Sequence, residues 1–178
     1  QLPAPHIACS GLAPQAKLAD WVKLAGNDNR LKEGMKRLYE LFEQAPILGS
    51  LIDPKQKWDL LGSGYDELQP LLEQALIDDK SDVATHEMAV TARGIATAAN
   101  LLAGHFALVI TNVPYLGRGK QNQVLTEYCS RVHPESKADL ATSFVERCRN
   151  FCALDGCTAL VTPQNWLSLN AYRKLRKN

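Results

Sequence analysis

The chain has no apolar run approaching the length of a membrane span, no marked excess of either charge and no Cys-x-x-Cys pair. Each absence removes a class of function. A membrane-crossing helix needs about 20 consecutive apolar residues, so no membrane partner is expected. A net charge of +1 is not the basic balance of a protein that grips nucleic acid through charge alone. The cations nevertheless cluster: Arg118, Lys120 and Arg131 in one region, Arg173, Lys174, Arg176 and Lys177 in another. Cysteine is sparse and odd in number, at positions 9, 129, 148, 152 and 157. Cys148 and Cys152 share a helix face, but His133 stands at no matching ligand spacing, and the acidic run around Asp78 has no partner set. No metal is expected. The five thiols read as buried and reduced, which points to a reducing cytoplasm. There are no internal repeats or low-complexity segments.

What is present is enough to build a core. The 178 residues are 46% hydrophobic, one domain's worth of chain. The most informative stretch is Phe106-Ala107-Leu108-Val109-Ile110-Thr111-Asn112-Val113-Pro114-Tyr115. A β-branched apolar run stopped by a turn signal predicts a buried strand. Asn112, Pro114 and Tyr115 then lie on the loop at its C-terminal edge, where open α/β sheets bind ligands. Read without any family, Asn-Val-Pro-Tyr is equally a strand-to-loop turn, since Asn and Pro both mark turns.

Asn-Val-Pro-Tyr resembles the Asn-Pro-Pro-Tyr motif of S-adenosylmethionine-dependent amino-group methyltransferases. The following order strengthens the likeness: Leu116-Gly117-Arg118-Gly119-Lys120-Gln121, a helical segment at Ser136-Lys137-Ala138-Asp139-Leu140, an amphipathic helix ending at Cys152, a turn at Leu154-Asp155-Gly156, a strand from Cys157 to Val161, and Thr162-Pro163-Gln164-Asn165-Trp166-Leu167. That order is similar to the DNA adenine-N6 methylases of restriction–modification and phage-defence systems. The resemblance covers roughly the last half of the chain, with a Leu-Gly-Ser-Leu-Ile segment at 48–52 adding to it.

The resemblance implies a site. Asn112 and the carbonyl of Val113 would accept the two hydrogens of an exocyclic amine, Pro114 would fix the turn, and Tyr115 would stack on a flipped base. Such an amine is a poor nucleophile because its lone pair is delocalised into the ring. Two acceptors favour a tetrahedral nitrogen and free the lone pair for attack on a methyl sulfonium, with no covalent enzyme intermediate. Val113 stands where the family usually has proline, so a fixed φ is lost. The co-substrate implied is S-adenosyl-L-methionine, with Cys9, Ser10 and Asn112 as its contacts, and Arg118 and Lys120 are the implied DNA contacts. The Gly117–Gln121 loop also reads as an ordinary flexible connection, and Asp139 as a first-turn helix residue.

Along the rest of the chain, His6–Cys9 reads as a short strand leading to Ser10-Gly11-Leu12. Residues 14–25 read as a helix opened by Pro14 and stopped by Gly26. Asn27-Asp28-Asn29 is a turn and cap, and the next helix runs to about Gln44 before Pro46. Trp21, Met35 and Phe42 read as core. Gly49–Pro54 reads as extended, Gly62-Ser63-Gly64 as a break, Tyr65–Ile77 as a helix and 78–82 as a solvated loop. A long Ala-rich helix from Asp82 to about Ala103 delivers the chain to the strand, and His86 on it reads as a surface or core residue rather than a base.

The expected architecture is one α/β domain, 1–178: a partial Rossmann-like methyltransferase fold with a mostly helical insertion at 14–104 and the motif-bearing half at 105–178. The glycine-rich cofactor loop and the acidic ribose-binding residue of the family have no match. The chain therefore reads as an internal piece of a larger enzyme, whose partners are DNA and the remainder of the same polypeptide, with an upstream cofactor motif and a downstream target-recognition region. The expected function is N6-adenine methylation of DNA in the longer protein, the piece alone being inactive. Two rivals stand: a methyltransferase for protein glutamine or RNA amino groups, and a non-catalytic DNA-positioning or scaffold module.

Overall fold

The computed structural model describes residues 5–57 and 83–177. The expected break at 62–64, the helix at 65–77 and the loop at 78–82 lie outside the described residues. The chain divides into two compact units, 1–103 and 104–178.

The first unit is helical. Helix α1 spans Leu18–Lys23, α2 spans Asn29–Phe42, α3 spans Ala45–Leu48, and the long α4 spans Val83–Ala103. Asp28 caps α2 by accepting from the N–H groups of Arg30 and Leu31, which satisfies donors that the first turn leaves without intrahelical partners. Trp21, Met35, Leu38 and Phe42 are buried, and the Trp21 indole N–H donates to the Met35 carbonyl at 2.9 Å. On α4 the buried residues are Ala89, Ala92, Ile95, Ala96, Ala98, Ala99 and Leu102, and α2 packs on this helix.

Four expectations for this unit need correcting. His6–Cys9 forms no strand; a strand needs a ladder partner, and none exists for it among the described residues. The first helix begins at Leu18 rather than Pro14. Pro46 does not end the second helix, which stops at Phe42, but sits in the first turn of α3, where its missing N–H costs nothing. Gly49–Leu51 is a 3-10 turn rather than extended chain. Gly49 takes φ +50°, the left-handed region that glycine enters freely, and the turn buries Leu51 and Ile52.

The second unit carries the motif. Strand β1, Phe106–Asn112, leads through helices α5, Gln123–Val132, and α6, Leu140–Phe151, to strand β2, Cys152–Val161. The strands pair in parallel, with Leu108 opposite Cys157 and Asn112 opposite Val161. Parallel neighbours need such a helical crossover. The register is interrupted between Phe106 and Leu108; Leu154-Asp155-Gly156 is not the expected turn but an irregular stretch within β2, which begins at Cys152 rather than Cys157.

Strand β1 is not buried as its composition predicts. Leu108 is 55% and Ile110 70% exposed, while Val109 and Thr111 on the opposite face are half-buried and Val113 beyond them is buried. Successive strand side chains alternate faces, so only one face of this strand is sheltered. Apolar residues on both faces are the signature of a parallel strand, which is why the sequence alone predicts full burial.

Candidate active site

Strand β1 ends at Asn112, and its partner ends at Val161 directly opposite. The site is assembled around that end. The Val161 carbonyl receives the N–H of Val113 at 3.4 Å and the hydroxyl of Tyr115 at 3.4 Å. The same hydroxyl lies 3.3 Å from Asn112 Oδ1. Asn112, Pro114 and Tyr115 are exposed, whereas the Val113 side chain is buried. Asn112, Val113 and Tyr115 are thus gathered at the C-terminal edge of the strand pair. A proline at 113 has no N–H to give to Val161. Valine replaces the rigidity of a fixed φ with a long hydrogen bond and a buried side chain.

The loop after Tyr115 is held by a second set of contacts. Gly117 pairs with Asp139 in an isolated antiparallel bridge. The Arg118 N–H donates to the Ala138 carbonyl at 3.0 Å, and the Leu140 N–H to the Leu116 carbonyl at 3.0 Å. Lys120 is exposed. Arg118 is half-buried, and its guanidinium donates to Ser130 Oγ at 2.9 Å. Gln121 folds back, its amide donating to the Leu116 carbonyl at 3.0 Å.

Ser136–Ala138 is a turn rather than the start of a helix. Asp139 is the N-cap of α6, its carboxylate accepting from the Ala141 N–H at 2.9 Å. The turn is fastened by buried polar groups: Ser136 Oγ donates to Glu146 Oε2 at 2.6 Å, and His133 Nδ1 lies 3.5 Å from the same oxygen. Thr142 Oγ1 reaches the Asp139 carbonyl at 2.7 Å. Buried hydroxyls and carbonyls are costly unless paired, so this cluster fixes the turn, and the turn fixes the Gly117 bridge.

Cys9 and Ser10 belong to the first unit. Cys9 is exposed, and Ser10 Oγ is hydrogen-bonded to Ser50 Oγ at 3.0 Å. Not all the thiols are buried: Cys129 and Cys148 are, Cys152 is intermediate, Cys9 and Cys157 are exposed, and all five are free. Burial pushes the Cys129 and Cys148 thiols above their usual range, partly offset by Ser143 and Arg118 at the first and by Arg147 at the second. Among the described residues no helix is long and apolar enough to cross a membrane.

The role of Val161 was not visible in the sequence, because only the register places its carbonyl opposite Asn112. The Trp166 indole N–H donates to Thr162 Oγ1 at 3.1 Å, just beyond the end of β2.

The family model for the Eco57I restriction-modification methylases matches residues 16–178. The chain belongs to that family. Two curated relatives are the adenine-specific methyltransferase PglX of Lacticaseibacillus casei (strain Zhang), 28% identical over 72% of this chain, and the adenine-specific methyltransferase BrxX of Escherichia coli O9:H4 (strain HS), 29% identical over 86% of it. The matched part of this methylase chain spans 12% of the length of each.

Proposed function

We propose that this chain is the motif-bearing part of a longer DNA adenine-N6 methyltransferase with a Rossmann-like catalytic domain. The observation that carries the reading is the exposed Asn112 carboxamide at the C-terminal edge of a parallel strand, with the Tyr115 ring beside it. The Asn112 Oδ1 and Val113 carbonyl oxygens take the two amine hydrogens. Pro114 sets the direction of the chain, and Tyr115 supplies a stacking face for an adenine swung out of the duplex. Lys120 meets DNA outside the pocket, while Arg118, already bonded to Ser130, mainly positions that loop.

S-adenosyl-L-methionine supplies an electrophilic methyl group to such an amine. The described residues fit the methyl acceptor and not the donor. No strand among them runs into a glycine-rich loop of the kind that cradles a nucleoside, and the Ser10 hydroxyl is already engaged by Ser50. Cys9 and Ser10 are therefore at most secondary contacts, and the main donor contacts are proposed to come from the remainder of the polypeptide.

The test is methyl transfer to duplex DNA by the whole methylase. Removing a preorganised acceptor or donor from a reacting centre costs about 100- to 1000-fold in kcat, so Asn112→Ala should lose activity on that scale without loss of folding. A second reading, a non-catalytic DNA-positioning module, draws on the Tyr115 hydroxyl already meeting Asn112 Oδ1 and on valine at 113. Unchanged methylation in Asn112→Ala would favour that reading and reject the first.

A further inference from the structure

The near-neutral chain conceals an uneven division of charge. Residues 104–178 hold ten Lys and Arg against five Asp and Glu, a net +5, while residues 1–103 hold ten against fourteen, a net −4. Within the motif-bearing unit four of the five acidic groups are occupied, Asp155 being the exception. Asp139 caps α6, Glu146 takes Ser136 and His133, Glu127 takes Gln123, and Glu135 takes Lys174 at 3.4 Å. The cations are left outward. Lys120, Lys137, Arg173 and Lys177 are exposed, and their side chains make no hydrogen bond or ion pair among the described residues.

These four belong to segments tied to the edge that carries Asn112. Tyr172 and Leu175 are buried and turn Arg173 and Lys177 outward. The Arg176 guanidinium donates to the carbonyls of Trp166 at 2.6 Å and Leu169 at 2.8 Å. Trp166 is bonded to Thr162, the residue after Val161, whose carbonyl holds Val113 and Tyr115. On the other side, the Lys174–Glu135 pair joins the C-terminal turns to the 133–139 turn. That turn carries Lys137 and is bridged to Gly117, three residues before Lys120.

We propose that Lys120, Lys137, Arg173 and Lys177 form a phosphate-binding rim that holds the DNA backbone beside the base at Asn112 and Tyr115. Contacts of this kind fix the position of a protein on a duplex without reading its sequence. The rim deepens the DNA-methyltransferase reading and rests on it.

The test is the salt dependence of duplex binding by fluorescence anisotropy, in the protein and in two double variants, Arg173→Ala with Lys177→Ala and Lys120→Ala with Lys137→Ala. Each lost phosphate contact lowers the slope of log affinity against log salt by about one. Each double variant should therefore lose about two, equally on duplexes of unrelated sequence, with thermal melting unchanged. Duplex binding whose slope and affinity ignore both double variants would overturn the rim alone and make the four a solvated face. No binding by the unaltered protein even at low salt would overturn the rim and the DNA reading together.

Discussion

The hydroxyl of Tyr115 donates to Asn112 Oδ1 at 3.3 Å. That oxygen is also the acceptor proposed for the target amine, so in this arrangement the hydroxyl and the amine compete for it. The ring and the hydroxyl then have separable effects. Tyr115→Phe removes the competitor and keeps the ring; an exposed hydrogen bond nets about 1 kcal/mol, so KM for DNA should fall or stay within several-fold and kcat should persist. Tyr115→Ala removes the stacking face, worth about 1–3 kcal/mol per base, and should raise KM roughly 5- to 150-fold. A Phe variant as impaired as the Ala variant would show that the ring is not what holds the base.

Gly156 sits in the irregular stretch of β2 opposite the start of β1. A Cβ there would lie 2.8 Å from Cys152 Sγ, 2.9 Å from the Phe106 carbonyl and 3.0 Å from the Ala107 carbonyl. Two of those neighbours are backbone of β1 and cannot swing aside. Gly156→Ala should cost about 1–3 kcal/mol, the usual range for overpacking, read from urea unfolding. Gly119, where a Cβ would meet nothing within 4 Å, provides the control. Equal midpoints for the two alanine variants would mean that the close approach at 156 relaxes freely.

Features set by neighbours in sequence were legible; features set by distant partners were not. The end of β1 at Asn112 follows from an apolar run meeting a turn signal, and the cap at Asp28 from a side chain one turn from its donors. The helix expected at Ser136–Leu140 failed because Ser136 is bound by Glu146 and Thr142, contacts that no local pattern announces. His6–Cys9 looked like a strand because β-propensity says nothing about whether a partner lies alongside. At the site, the sequence pointed to Asn112, Val113, Pro114 and Tyr115. It could not show that Val161 organises them, since parallel register joins residues 49 positions apart.

Asp139 is bridged to Gly117 on the loop after the motif, and its geometry is that of a cap. Its carboxylate accepts from the Ala141 N–H at 2.9 Å, one of the donors left over at a helix start. Asp139→Ala should lower stability by about 1 kcal/mol, and Asp139→Asn, an equally good cap, should restore it. Methyl transfer by the Asn variant should match that of the unaltered protein. Normal stability with lost activity in that variant would assign the carboxylate a chemical role instead.

The buried thiols make stability fall in alkali, and the sign follows from their burial. Cys129 and Cys148 are held above the ordinary thiol range chiefly by desolvation of the thiolate, so the folded chain keeps protons that the unfolded chain loses. Above the unfolded thiol pKa, about 8.5, unfolding releases protons, and stability declines by up to about 1.4 kcal/mol per pH unit for each thiol. The decline stops once pH passes the folded values. Urea unfolding at pH 7 and pH 10 measures it, and the Cys129→Ala, Cys148→Ala double variant separates the thiols from lysine and tyrosine titration. The unaltered protein should lose more stability over that interval than the variant. The exposed Cys9 and Cys157 should meanwhile react with a disulfide reagent in the native state, while the buried pair reacts only on unfolding. Fast native labelling of Cys129 or Cys148, or an identical alkaline loss in the double variant, would show that their burial does not set their chemistry.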